Sequence, residues 1–466
     1  MTEISVGARS CVIAALALTI TSAPAFAQAR QDPRGPQATP PEQSIPLTLG
    51  DAARLAARQS AIAQGARLRA DEAEARVRER RADLLPNVSS YVQEAGRTFN
   101  TSTLGIDFPT PPGQQPVFDP RGQVEGPVNT LDVRGRVQQN LIDFGALGRV
   151  RSAKAAARSS SADADAVAEQ AATIATSAYV RAMRADADLL ARQADTLLAT
   201  ELLRIAESQL KAGTGVGLDV TRARAQLAAT RASLIASRTA RDHAHLDLLR
   251  SLSLAVGTNV VLADSLSVSA SDDQVPDEAT LVATALRSRP DIIAEEERVR
   301  AAEQGLSAIK AERLPMLGLV ADDGLIGKNG ARLLNTYTWG LQVSLPIFDG
   351  FRREARVQEQ RSVVKEAEVR RRDLELQAAA DVRGALLDLA GAREQLDAAR
   401  ERLRLAEQEV VQARERFNAG VAGNADVVNA SLALTASRTL VNDAMTAYQL
   451  ARVALARATG SVTTLR

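Results

Sequence analysis

Leu210-Lys211-Ala212-Gly213 is followed by Asp219-Val220, and Phe417-Asn418-Ala419-Gly420 is followed by Asp426-Val427 at the same spacing. The chain reads twice. Outward from these runs, Leu141-Ile142-Asp143 precedes the first and Pro346-Ile347-Phe348-Asp349 the second, at intervals that agree to within one residue. Farther upstream, Leu85-Pro86 and Leu314-Pro315 each end a charged helical stretch. Three marks in one order, twice over, define a tandem duplication with unequal insertions. Such repeats set equivalent elements side by side, which builds a wall more readily than a catalytic cleft.

Composition agrees with an elongated chain. Only 3% of the 466 residues are aromatic, too few to fill a large globular core. Long stretches of Ala, Leu, Arg, Glu and Gln suit helices with thin seams. The net charge is +1, so no bulk field points to nucleic acid, and none is expected as a partner. The basic stretches at Arg78–Arg81 and Arg370–Arg372 are interleaved with acids and read as solvated helix faces.

Residues 1–27 read as a secretory signal: Arg9, an apolar run over 11–20 too short to span a bilayer, then Ala25-Phe26-Ala27 as the cleavage site. The mature chain is expected to start at Gln28. Cys11 is the sole cysteine and leaves with the signal, which excludes disulfides, thiolate chemistry and Cys metal ligands. No later apolar run is long enough for a membrane helix. If this exported chain enters a membrane, it enters as a β-barrel.

Residues 28–46 form a Pro-rich linker. The first repeat covers 47–256: a helix from 47 to 85, a strand pair within 87–142 carrying an exposed loop at 100–130, and a long helical hairpin with its tip at 211–220. Residues 257–276 read as a second linker. The second repeat covers 277–466, with a helix, a strand pair at 316–346 around a Gly-bearing loop, and a hairpin with its tip at 418–427.

The strands alternate. Leu131, Val133, Val137 and Leu141 share one face, opposite Asp132, Arg134, Arg136, Gln138 and Asn140. Tyr337, Trp339, Leu341, Val343 and Leu345 share another, opposite Thr338, Gln342 and Ser344. A soluble sheet with one wet face fits this alternation, but the signal segment and the lack of other core-forming segments favour a membrane barrel. A charge facing lipid at the midplane costs roughly 2–4 kcal/mol. Asp132, Arg134, Arg136 and Gln342 are therefore expected to face the lumen, with Tyr337, Trp339, Leu341 and Val343 facing lipid or its interface.

Two long proline-free helices follow. The second carries a seam at alternating spacings of three and four from Ala378 through Val382, Leu389, Leu396 and Val410 to Phe417, the pattern of a coiled coil. Gly213 and Gly420 suit left-handed helix ends, and Asp219 and Asp426 suit the N-caps of the returning helices.

Nothing reads as an active site. His243 and His245 point to different helix faces and cannot share a metal without a kink. Lys211-Ala212-Gly213-Thr214-Gly215 is a turn, not a phosphate loop, and Asp322-Asp323-Gly324 reads as an acidic turn. No nucleophile, base and orienter assemble. No cofactor is expected.

In this order and spacing, the signal, the paired Leu-Pro breaks, Leu345-Pro346-Ile347-Phe348-Asp349-Gly350 and the paired Ala-Gly…Asp-Val tips resemble the TolC family of outer-membrane efflux proteins over nearly all of the mature chain. The resemblance implies a mainly α chain with a small β part. It implies a homotrimer, in which four strands from each chain close a transmembrane β-barrel in outer-membrane lipid. A long α-helical coiled-coil barrel then continues into the periplasm. It further implies a passive duct working with an inner-membrane pump and a periplasmic adaptor (membrane fusion) protein, in multidrug or small-molecule efflux or type I secretion. The tips at Gly213, Val216, Leu218, Gly420 and Gly423 would dock the adaptor, and Asp219, Asp426 and Phe417 would form the periplasmic entrance. Ala422, Phe417 and Asn429 stand where relatives often carry Arg, Tyr and Asp, so no cation is expected near the tip acids. The alternative is a soluble periplasmic coiled-coil scaffold or adaptor, which leaves the aromatic strands without a role and lacks a compact β-domain between its helical arms.

Overall fold

The computed structural model describes residues 45–104, 112–113, 122–267, 276–328, 332–419, 421 and 423–465. The expected signal, its cleavage site and the linker up to Ser44 lie outside the described residues, as do Gly420 and Ala422.

The first half opens with β1 (Ile45–Leu47), α1 (Leu49–Gln59) and α2 (Ala61–Ala82). It continues through β2 (Asn87–Asn100), β3 (Val124–Ile142), α3 (Phe144–Lys211), α4 (Gly217–Ser251) and β4 (Val260–Leu262). The second half holds α5 (Glu278–Ser288), α6 (Pro290–Ala311), β5 (Met316–Lys328), β6 (Leu334–Ser344), α7 (Arg352–Asn418) and α8 (Asn424–Thr459). The duplication is written in helix lengths. α1 and α5 each have 11 residues, α2 and α6 each have 22, α3 and α7 have 68 and 67, and α4 and α8 have 35 and 36.

Local chemistry explains the boundaries. The stretch read as one helix over 47–85 is broken at Ser60, whose backbone is extended and whose Oγ accepts from the Ala63 amide to start α2. Asp277 caps α5 in the same way, and Pro290 opens α6, where its missing N–H costs nothing. Segments expected as linkers hold short strands. β1 pairs in parallel with β4, and the buried Tyr179 hydroxyl donates to the Leu47 carbonyl at 2.8 Å beside them.

At about 1.5 Å per residue, α3 and α7 are each roughly 100 Å long. Their interiors are thin. The α7 seam from Ala378 to Phe417 is buried, apart from the half-buried Leu403, and packs against α8 and, near the tips, α3. Small residues allow close helix approach. A Cβ at Gly148 of α3 would sit 2.7 Å from Ala308 of α6.

The main sheet has the order β2-β3-β5-β6 with every pair antiparallel, so β2 and β6 each keep one unpaired edge. The strands reach farther than expected. β2 runs to Asn100, a 3-10 turn follows at Thr101–Leu104, and β3 begins at Val124 inside the expected loop. β5 continues through Asp322-Asp323-Gly324, which is strand and not an acidic turn. Pairing with β3 on one side and β6 on the other overrides the poor strand propensity of Asp and Gly. Gly324 is also needed there, because a Cβ would lie 2.3 Å from the Val133 carbonyl oxygen.

Candidate functional site

Two regions answer to the expected site residues, the hairpin tips and the sheet. At the first tip, α3 ends on Ala212 and Gly213 takes a left-handed φ of 76°, the conformation expected for it. The amides of Thr214 and Gly215 both donate to the Gln209 carbonyl, closing the turn. Val216, 64% exposed, and Leu218 then stand out in solvent. At the second tip, Ala419 ends α7, the Val421 amide returns to the Arg416 carbonyl, and Gly423 precedes α8.

The tip aspartates are not N-caps. Val216 and Gly423 hold those positions without side-chain caps, and Asp219 and Asp426 sit one turn in, their amides bonding back to the Val216 and Gly423 carbonyls. A carboxylate at that position still meets the positive helix end, which explains an acid there without a capping bond. The expectation that no cation lies near the acids is also corrected. Arg222 Nη1 is 3.9 Å from Asp219 Oδ1.

The two tips are one unit. Asn424, fully buried, donates from Nδ2 to the Asp219 carbonyl at 3.0 Å, so the second hairpin starts against the first. Phe417 is 5% exposed and packs with Leu202 of α3 and with Val427 and Leu434 of α8. In the single chain this ring therefore holds the two hairpins to each other. Farther from the tips, Asp195 of α3 is buried between Arg192 at 3.3 Å and Arg438 of α8 at 3.0 Å.

In the sheet, register sorts the side chains by face. Val88, Val137, Ala321 and Trp339 lie in one row, and the next residue along each strand gives Ser89, Arg136, Asp322 and Thr338 on the opposite face. Tyr337, Trp339, Leu341 and Val343 share the first face and are exposed, and Asp132, Arg134, Arg136 and Gln342 share the second. The second face carries a network that the sequence reading missed. Arg134 donates to Asp322 at 2.6 Å, to Asp132 at 3.2 Å and to Thr336 at 3.1 Å, tying three strands together. Asp322 is reachable only through the strand register, since its local sequence reads as a turn. The apolar face holds carboxylates too. Asp323 lies opposite Tyr337 and accepts from Asn335 Nδ2 at 3.0 Å, and Glu94 lies opposite Leu131.

Between sheet and hairpins, the duplicated aspartates each hold an arginine. Asp143 caps α3 and pairs with Arg149 at 3.3 Å, while Asp349 pairs with Arg353 at 3.3 Å. Beside Asp349, Phe348 and Phe351 make an edge-to-face pair 5.5 Å apart with both rings exposed. His245 of α4 is half-buried, and its Nε2 lies 3.1 Å from Asp186 Oδ1 of α3. Among the described residues no three His, Cys, Asp or Glu side chains converge for a metal ion, and no helix is long and apolar enough to cross a membrane.

Two coiled helical hairpins, continuous with a sheet that is largely apolar on one face, apart from Asp323 and Glu94, and polar on the other, define the fold of outer-membrane channel subunits. The chain belongs to the outer membrane efflux protein family, whose profile matches residues 53–253 and 281–461, one segment in each repeat. It is 33% identical over 155 residues to the solvent efflux pump outer membrane protein SrpC of Pseudomonas putida, 32% of either chain. It is 26% identical over 270 residues to the outer membrane efflux protein BepC of Brucella suis biovar 1, 56% of this chain and 57% of that one. The chain thus spans about a third of the length of the first of these curated relatives and just over half of the second. The fold matches the outer-membrane channel OprN with a TM-score of 0.73 at 20% identity, over 89% of this chain and 90% of that one. It matches the open MtrE outer membrane channel of Neisseria gonorrhoeae with a TM-score of 0.72 at 16% identity, over 92% and 94%.

Proposed function

We propose that this chain is the outer-membrane component of a tripartite export system, a passive duct from periplasm to exterior. The observation that carries the reading is the sheet. Four strands with one largely apolar and one polar face, and with free edges at β2 and β6, cannot close alone, and single-chain membrane barrels start at about eight strands. The strands, at 11 to 19 residues, exceed the roughly 9–11 that a tilted membrane strand needs. Several copies joined edge to edge would place Trp339 and its neighbours against lipid and Arg134 toward a wet lumen. Family membership favours three copies, a homotrimer, set in outer-membrane lipid after removal of the signal near Ala27.

The tips are the proposed periplasmic end and adaptor-docking surface. Val216 and Leu218 are exposed apolar groups at the first tip, repeated in kind by Val421 on the second. Gly213, Gly420 and Gly423 would let a partner hairpin approach. Asp219 and Asp426 would line the entrance, with Phe417 packing behind them. An inner-membrane pump would drive transport through the adaptor, and the duct itself performs no chemistry and needs no cofactor. The relative SrpC is a solvent efflux pump protein, which makes organic solvents one candidate class of cargo.

Export assays in a deletion strain test this reading. A bulky substitution at Gly213 should abolish export while leaving outer-membrane assembly intact. Recovery of the wild-type chain as a water-soluble periplasmic monomer would refute it in favour of the scaffold alternative.

A further inference from the structure

The inner face of the sheet is not electrically balanced. Between the two bulges of the sheet, over 87–97, 128–140, 316–328 and 334–344, register puts six ionised groups on this face: Arg97, Asp132, Arg134, Arg136, Asp322 and Lys328. Cations outnumber carboxylates, and both carboxylates are already taken. Asp132 and Asp322 each bond Arg134, whose side chain is only 12% exposed, so this trio lies along the wall. Gly324, opposite Arg134 in the register, keeps the space beneath it clear.

Arg97, Arg136 and Lys328 are left over; Arg97 and Lys328 lie at the far end of the paired region, opposite Val128 and Thr130, and Arg136 lies at mid-strand. Asp322 lies directly across from it, yet gives its oxygen to Arg134. Among the described residues Arg136 has no ion pair. Its guanidinium stands 5.7 Å from the centre of the Tyr91 ring, and its Nε–H is buried with no acceptor. A cation held on an aromatic face keeps its charge and most of its donors for something else. An arginine fork presented this way suits carboxylates, phosphates and other small anions.

Resting on the duct reading above, we propose that the barrel wall is an anion-favouring zone with Arg136 as its uncompensated mid-wall cation, in series with the acidic tips at the other end. Passing ions and charged cargo would meet two zones of opposite sign. Each copy in the assembly adds one Arg136 to a ring around the lumen, at the level of Asp322 and Thr338.

Reversal potentials across planar bilayers under a KCl gradient test the proposal. The solutions should stay near 0.1 M, where charges act over about 10 Å; at 1 M that reach falls to about 3 Å. Arg136→Gln should move the reversal potential toward that of potassium, and Arg136→Lys should leave it near the wild-type value. Wild-type potentials from both Gln and Lys variants would overturn the proposal, as would equal shifts from both. If wild-type protein gives no conductance steps at all, the duct reading itself fails and this inference falls with it. A folded control is built in, because every variant must first run as the same heat-dissociable assembly as wild type.

Discussion

Asn424 donates its side-chain N–H to the backbone carbonyl of Asp219 at 3.0 Å, across a sequence distance that joins the start of α8 to the start of α4. The bond fixes the level of one repeat's tip against the other's. Its second atom, Oδ1, is buried without a partner, so the amide is held there by one bond and by packing. We predict that Asn424→Ala lowers unfolding stability by about 1–3 kcal/mol, the range for losing a buried hydrogen bond partner. Asn424→Asp should be worse, because a carboxylate would face the Asp219 carbonyl with no proton to give. Denaturant midpoints of the helical signal decide this, and an Asp variant as stable as wild type would show that the bond does not hold the tips.

The tip acids differ in setting, so their effects on conduction should differ. Asp426 is exposed and has no ion pair among the described residues, whereas Asp219 is half-buried with Arg222 at 3.9 Å. We expect Asp426→Asn to reduce cation preference more than Asp219→Asn does, and the double variant to reduce it most while staying folded. Equal selectivity in all of them would leave helix-end stabilisation, about 0.3–1 kcal/mol per acid, as their whole role.

Close helix approach at Gly148 predicts a size threshold. Even a methyl there would meet Ala308 at 2.7 Å, so α3 and α6 would have to separate. Gly148→Leu should cost on the order of 1–3 kcal/mol, the usual range for overpacking. Gly148→Ala should already destabilise and Ala308→Gly should rescue little of it, because the Ala308 Cα also lies 2.7 Å from the added methyl; thermal melts read both. A Gly148→Ala variant as stable as wild type would contradict the packing argument.

Asp186 gives a pH dependence with a definite sign. Burial pushes its carboxyl up, but the hydrogen bonds from His245 and Arg241 outweigh burial and hold it below the ordinary carboxylate value. A depressed folded value means stability that is fully present above the unfolded value, near 3.9, and is lost as pH falls through the folded one. Unfolding midpoints between about pH 6 and pH 3 should drop less steeply for Asp186→Asn than for wild type. Identical slopes would show that the α3–α4 pair contributes nothing.

The duplication, the strand faces and the α7 seam were all legible because each is a periodicity, and periodicity survives in a bare sequence. Phe417, Leu396 and Val382 are buried as the seam spacing implies. What the sequence hid depended on pairing. Asp322 and Asp323 look like a turn until β3 and β6 flank them, and no local signal links Asp322 to Arg134 or Asn424 to Asp219. The tip aspartates were placed by helix-start statistics, which cannot separate the cap from the first turn. The prolines of 100–130 read as loop, while strand pairing carries β2 to Asn100 and starts β3 at Val124, inside that stretch.

Closure of the sheet by neighbouring copies is the central claim, and the mature chain is suited to a direct test because its sole cysteine, Cys11, lies in the expected signal. Single cysteines on the outer edge of β2, at Ser90 or Val92, can be paired with cysteines along β6 at Tyr337, Trp339 or Leu341, and oxidised in outer-membrane fractions. Edge-to-edge closure should give disulfide-linked species that stop at three chains for at least one edge pairing, with single-cysteine controls unlinked. Cross-links confined within one chain, or none at any pairing in folded protein, would contradict it.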